Sequence, residues 1–226
     1  MQPYLRGVAV DAVTKLNHFR KCGQATKDIP PNIAFYYDAA EAEIRELEAE
    51  GKLNLQSYVD SGFAQEAWDE IRACAADLYC ARPEASSTSG PCDIHGVLGA
   101  VCDHGFPLVG LFEDMHGPEQ FVYYLVFLKW LVKACVACGV LIHDIYVDFG
   151  CKLAKTWERF LEKMGDVHFE SLDELEAARG LRLLVNWMHG SSHELACQLQ
   201  NNGRYTEGAG HRDGEGIERL WAVTKV

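Results

Sequence analysis

An α/β layered domain over residues 92–226, preceded by a helical segment over 1–85, is what the sequence predicts. Three observations carry this reading. After residue 92, short β-branched runs alternate with amphipathic stretches, the pattern of strands interleaved with helices. The stretch ARPEASSTSGPC, 81–92, is rich in Pro, Ser and Gly without an apolar period and marks a boundary. Hydrophobic residues make up 48% of the 226, enough for a core of real size.

Taken in order, the first 85 residues read as helical. AAEAEIRELEAEGKL has strong helix formers and Gly51 placed as a stop. FAQEAWDEIRACAADLYCA puts Phe63, Ala67, Trp68, Ile71, Ala75 and Leu78 at helical spacing, a packing face without evident chemistry. KDIPPNI, 27–33, is a breaker that separates an N-terminal piece from these helices. Beyond the boundary, GVLGAVC, 96–102, and PLVGLF, 107–112, read as neighbouring strands joined by DHGF.

The longest apolar run, 121–142, opens with Pro118 and Glu119 and is interrupted by Lys129 and Lys133. Those lysines make a buried core helix, running into a strand, the better reading than a membrane span. GVLIHDIYVD, 139–148, is a strand ending on Asp148. CKLAKTWERFLEKM, 151–164, is amphipathic with Leu153, Trp157, Phe160, Leu161 and Met164 inward. SLDELEAARG starts on a Ser171 cap with Glu174 three residues on, and stops at Gly180. LRLLVNWM reads as a short strand or as the lead-in to a helix carrying His189.

The formal charge of −12 argues against a broad nucleic-acid-binding surface, which needs clustered Lys and Arg. The segment 38–50, DAAEAEIRELEAE, carries much of the imbalance. Nine cysteines at irregular spacing, behind an N-terminus without an apolar signal core, fit free or metal-bound thiols in the nucleus or cytoplasm. A secreted disulfide framework does not fit.

Two constellations can carry chemistry. In HGSSHELAC, His189, His193 and Cys197 recur every four residues, so adjacent members on one helix can chelate an ion. Cys102, His104 and Cys151 are further N/S donors for a tetrahedral zinc site; core packing of Cys and hydrogen-bonded His is the alternative. CVAC, 135–138, has no second pair and reads as buried thiols. The second constellation is acidic. Asp148 ends a strand, and Glu215 and Glu218 stand near a helix start after a glycine-rich loop. Convergent carboxylates can hold divalent ions for phosphoryl transfer, whereas acids at a helix N-terminus also serve the dipole alone.

Three ordered blocks resemble the KDZ (Kyakuja–Dileera–Zisupton) transposase family. CDIHGVLGAVCDHGFPLVGLFEDMHGPEQFVYYLVFLKWL is similar to its C-x-H-G-F block, IYVDFGCKLAKTWERFL to its strand ending in D-x-x-C, and VNWMHGSSHELACQLQNNGRYTEGAGHRDGEGIERLW to its H-x3-H-x3-C helix with G-E-x-x-E. The resemblance covers about 92–223. It implies an RNase H-like core that cuts and rejoins DNA with acidic residues and Mg²⁺. Asp148 would be the second catalytic acid and Glu215 the third, with Glu218 as an accessory acid. Cys102, His104, Cys151, His189, His193 and Cys197 match the family's Cys/His positions and would form a structural zinc or packed-thiol cluster.

One departure counts against activity. The family's first acid sits in an Asp-Gly-Asn-Phe-like element, and nothing in 1–91 reads that way; Asp93 and Asp103 are the nearest carboxylates. The expectation is therefore an incomplete RNase H-like core in a truncated, weakly active or inactive transposase-derived chain. The alternative is a domesticated DNA- or protein-binding module without catalysis, the charge favouring a protein partner.

Overall fold

A ten-residue strand, β1 (Tyr4–Val13), occupies the middle of the main sheet, although the sequence reading places a helical segment there. In YLRGVAVDAV the β-branched residues Val8, Val10 and Val13 favour an extended chain. The computed structural model describes residues 4–13, 18–19, 92–94, 96–115, 119 and 121–224. The helices expected around 39–53 and 63–81 lie outside the described residues.

The other described elements are β2 (His18–Phe19), β3 (Cys92–Ile94), β4 (Gly96–Cys102), β5 (Pro107–Met115), α1 (Phe121–Ala137), β6 (Leu141–Tyr146) and α2 (Gly150–His168). They continue with α3 (Leu172–Arg179), β7 (Arg182–Leu184), α4 (Trp187–Gly190), α5 (Leu195–Asn201) and α6 (Gly216–Thr224). The main sheet runs β5-β4-β1-β6-β7; β1 pairs antiparallel with β4 and parallel with β6. The proposed boundary at 81–92 thus does not divide the sheet, because β1 pairs directly with strands beyond it.

Alternation along β1 separates two cores. Val8 and Val10 join Leu98, Ile145 and the buried residues of α1 and α2 on one face. Ala9 and Val13 join Val101, Tyr146, Ile217 and Trp221 beneath α6 on the other. Helices therefore cover both faces, as a sheet with buried parallel strands requires.

Residues 123–129 of α1 are buried without exception, the behaviour of a helix that is apolar all round. Lys129 is among them: its ammonium stands 3.4 Å from His168 Nδ1 and over the Trp130 ring. Lys133 reaches Glu170 at 2.9 Å. No described helix is long and apolar enough to cross a membrane. In α2, Leu153, Trp157, Phe160 and Leu161 are buried, and the Trp157 indole N–H donates to the Ala178 carbonyl at 3.1 Å, tying α2 to α3. The Met164 side chain lies outside those described.

At the start of α3 the Glu174 N–H donates to Ser171 Oγ, as the cap predicts, while the Glu174 carboxylate accepts from the Glu170 N–H. In CVAC, Cys135 is buried, its thiol pushed up to about 11 by burial and by Cys138, which is itself exposed.

Gly150 begins α2 directly against β7: a Cβ there would run into the Leu184 backbone carbonyl. Gly150→Ala should lower unfolding stability by about 1–3 kcal/mol, the usual cost of overpacking a rigid contact. Urea denaturation checks this, and an unchanged midpoint would mean that the turn has room to move.

Candidate functional site

The site forms where the C-terminal ends of β1 and β6 meet the start of α6. Parallel register sets Ala9 beside Tyr146, and two residues further on stand Asp11 and Asp148. Asp11 shares the parity of Ala9 and Val13, whose side chains pack towards α6. Asp148 lies in the turn leading into α2. Asn186, which precedes α4, holds two acids at once: its Nδ2 donates to Asp148 Oδ1 at 2.8 Å and to Glu218 Oε1 at 2.7 Å.

Glu215 is delivered by a glycine. Gly214 has φ +75°, and its backbone lies so close to the Tyr146 ring that a Cβ would meet it at 2.6 Å. Only glycine fits both conditions. The turn it makes leads straight into α6, and the Glu215 carboxylate accepts the Met188 N–H at 2.7 Å. A main-chain bond from Trp187 N–H to Asp213 O fastens the same loop to α4.

His189 faces these acids. Its Nδ1 lies 3.1 Å from Asp148, 3.7 Å from Glu218 and 3.9 Å from Glu215. Asp148, His189 and Glu218 bring ligand atoms within 4.8 Å of one another. Buried Glu215 Oε2 and Glu218 Oε2 accept no hydrogen bond, so the cluster keeps carboxylate lone pairs unused.

Burial and mutual repulsion make ionisation costly here. Burial pushes Asp11 well up, and Asp148, Glu218 and Glu119 add to the effect. Asp148 and Glu215 are also raised, mainly by burial, with His189 opposing. Glu218 is pushed up to about 8 by burial and by Glu215 and Asp148. Glu119 is pushed up to about 6 by burial, while the Tyr124 hydroxyl donates to it at 2.5 Å.

The expected Cys/His cluster divides. Cys151, His193 and Cys197 bring their donor atoms within 4.8 Å of one another. Cys102 and His104 stand 4.0 Å apart in a separate pair beside the β4–β5 turn. His189 belongs with the acids instead. The single helical stripe fails because two helices, α4 and α5, replace it. Ser191 and Ser192 hydroxyls donate back to the Met188 and His189 carbonyls and compete with helix propagation, leaving His193 in the turn. Asp103 is bound by Arg212 at 2.6 Å, beside Gly7 towards the other end of β1, and is no part of the acidic cluster. The Asp93 side chain lies outside those described.

The sequence reading names neither Asp11 nor Asn186 as a site residue and takes Glu119 only as a helix opening. For Asp11 the signal was present: a single acid inside the apolar run VAVDAV. Asp11 thus stands on the same side of the sheet as Asp148, two residues beyond the last pair of the parallel register.

The Kyakuja-Dileera-Zisupton transposase family model matches residues 4–226, and so includes β1 and Asp11 as well as the blocks after residue 92. Neither a curated protein nor a solved structure matches the chain. With nearly its whole length matched, the chain belongs to the Kyakuja-Dileera-Zisupton transposase family.

Proposed function

We propose that the chain cleaves and rejoins DNA strands, using divalent cations held by Asp11, Asp148 and Glu215, with Glu218 and His189 beside them. The observation that supports this most is geometric: ligand atoms of Asp148, His189 and Glu218 lie within 4.8 Å of one another, with Glu215 3.9 Å from His189 Nδ1. Their unpartnered oxygens fit a cation: Glu215 and Glu218 each keep one buried oxygen unused. Mg²⁺ or Mn²⁺ bound there would stabilise charge on the attacking and leaving oxygens of an in-line displacement at phosphorus.

The residues themselves divide the work. Asp11 projects from β1, and Asp148 stands in the turn just beyond the parallel neighbour β6, so a strand and the end of another support two ligands. Asn186 orients Asp148 and Glu218, and the Met188 N–H orients Glu215. His189 adds a nitrogen donor, which favours Mn²⁺ over the oxygen-preferring Mg²⁺. We read the mixed sheet as an RNase H-like core whose central strand is β1. In this reading Asp11 takes the place of the first carboxylate whose lack is the ground for expecting an inactive core. The second donor set, Cys151, His193 and Cys197, suits a structural Zn²⁺.

A protein-binding module without catalysis is the second reading, favoured by the net charge of −12. Nicking of labelled DNA separates the two. Asp11→Asn should reduce Mn²⁺-dependent nicking by at least about a hundredfold, the scale on which loss of a charge-stabilising group acts. The same change should leave thermal stability equal or higher, because it removes a buried carboxylate. Wild-type protein without metal-dependent nicking, but with salt-insensitive protein binding, would favour the module.

A pH dependence follows from the raised carboxylates. The folded state holds protons that the unfolded state releases from about pH 4.5 upwards, so stability falls as pH rises. For Glu218 this window extends to about 8. Thermal unfolding of metal-free protein should show a falling Tm between about pH 5 and 8. Added Mn²⁺ should raise Tm more at the upper end of that window, since it favours the ionised acids. A flat profile would count against a desolvated cluster.

A further inference from the structure

We propose that His193 is a positioning residue that couples a zinc centre at Cys151, His193 and Cys197 to the carboxylate site through the main chain of Asp148. The proposal rests on the carboxylate site being the cation site described above. Its basis is the two-sided use of one imidazole. His193 is 4% exposed, and its Nε2 lies 3.1 Å from the Asp148 carbonyl oxygen. A carbonyl only accepts, so Nε2 carries the proton and Nδ1 presents its lone pair. That lone pair faces two sulfurs, Cys197 Sγ at 3.3 Å and Cys151 Sγ at 3.7 Å.

Two thiolates and an imidazole form a soft N/S set suited to Zn²⁺ and unsuited to Mg²⁺. Metal-bound histidines commonly donate their other N–H to a carbonyl, which fixes the ring and its tautomer. Here that carbonyl belongs to the acid at the heart of the second site. The segment 148–151 is consequently gripped at both ends, at the Asp148 carbonyl and at the Cys151 thiol, while Gly150 between them abuts Leu184. Zinc in the centre would hold His193, and through it the turn that aims the Asp148 carboxylate.

The test uses the full chain and Mn²⁺ binding followed by electron paramagnetic resonance, a readout independent of activity. Wild-type protein should hold about one zinc, given one N/S donor set among the described residues. Cys197→Ser should lose that zinc and bind Mn²⁺ about 10–100-fold more weakly, the range for disturbed outer-shell partners. His193→Ala should do the same. His193→Gln should also lose zinc yet recover part of the Mn²⁺ affinity, because its amide N–H can reach the Asp148 carbonyl.

A measurement on wild type guards against variants that fail to fold. In Co²⁺-loaded protein, the visible d–d bands should shift when Mg²⁺ fills the carboxylate site. Folded wild type without zinc or Co²⁺ uptake would overturn the centre itself. Zinc-loaded wild type whose Mn²⁺ affinity is matched by zinc-free Cys197→Ser and His193→Ala, with Co²⁺ bands unmoved by Mg²⁺, would overturn the coupling alone. Zinc-loaded wild type that binds no Mn²⁺ would overturn the carboxylate reading, and the coupling with it.

Discussion

The parallel pairing of β1 with β6 is the constraint on which the rest depends. It buries two strands side by side, and so requires helices on both faces. It also sets Ala9 beside Tyr146, so that Asp11 on β1 and Asp148 in the turn after β6 each stand two residues further on. Because side chains alternate, a slip of one residue would turn Asp11 from the α6 side into the apolar face lined by Val8 and Val10. The apolar pattern of β1 thus fixes the acid's orientation as a by-product of filling the core.

Carboxylates meet two different fates in this fold. Asp103 and Asp144 are held by guanidinium groups: Arg212 lies 2.6 Å from Asp103, and Arg182 lies 2.7 Å from Asp144. Among the described residues, the recorded ion-pair contacts of Asp148, Glu215 and Glu218 come from His189. The first pair is satisfied and anchors the loop before α6, where Arg212 also donates to the Ala209 carbonyl. The second group is desolvated and under-neutralised, which costs stability. Identical chemical groups are thus neutralised by guanidinium in one place and crowded together in another.

One short stretch, 186–197, serves two donor sets of opposite softness. Asn186 and His189 turn to oxygen ligands, and His193 and Cys197 turn to sulfur. The break at Ser191 and Ser192 makes this division possible. On an unbroken helix, residues 189 and 193 would lie on one face and point to the same side. The turn sends them to different sites, with the Asp148 backbone between.

Local pattern determined much of this molecule. The strand at 96–102, the core helix and the amphipathic helix read at 151–164 were legible, because periodicity and β-branched composition act over neighbouring residues; the strand read over 139–148 is shorter, Leu141–Tyr146, and leaves Asp148 in the turn. Asp148, Glu215 and Glu218 were named as candidate acids, and Cys151 and Cys197 within a larger Cys/His set, with the family resemblance rather than local pattern bringing them together. Tertiary structure decided what depended on distant pairing. That β1 is a central strand follows from its contacts with β4 and β6, some 85 residues or more further along the chain. Asp11 carries no motif by itself; its partner acids come from two other elements. His189 changed allegiance, and Cys102 with His104 stayed apart, because spacing in sequence says which residues can share a helix but not whether that helix continues.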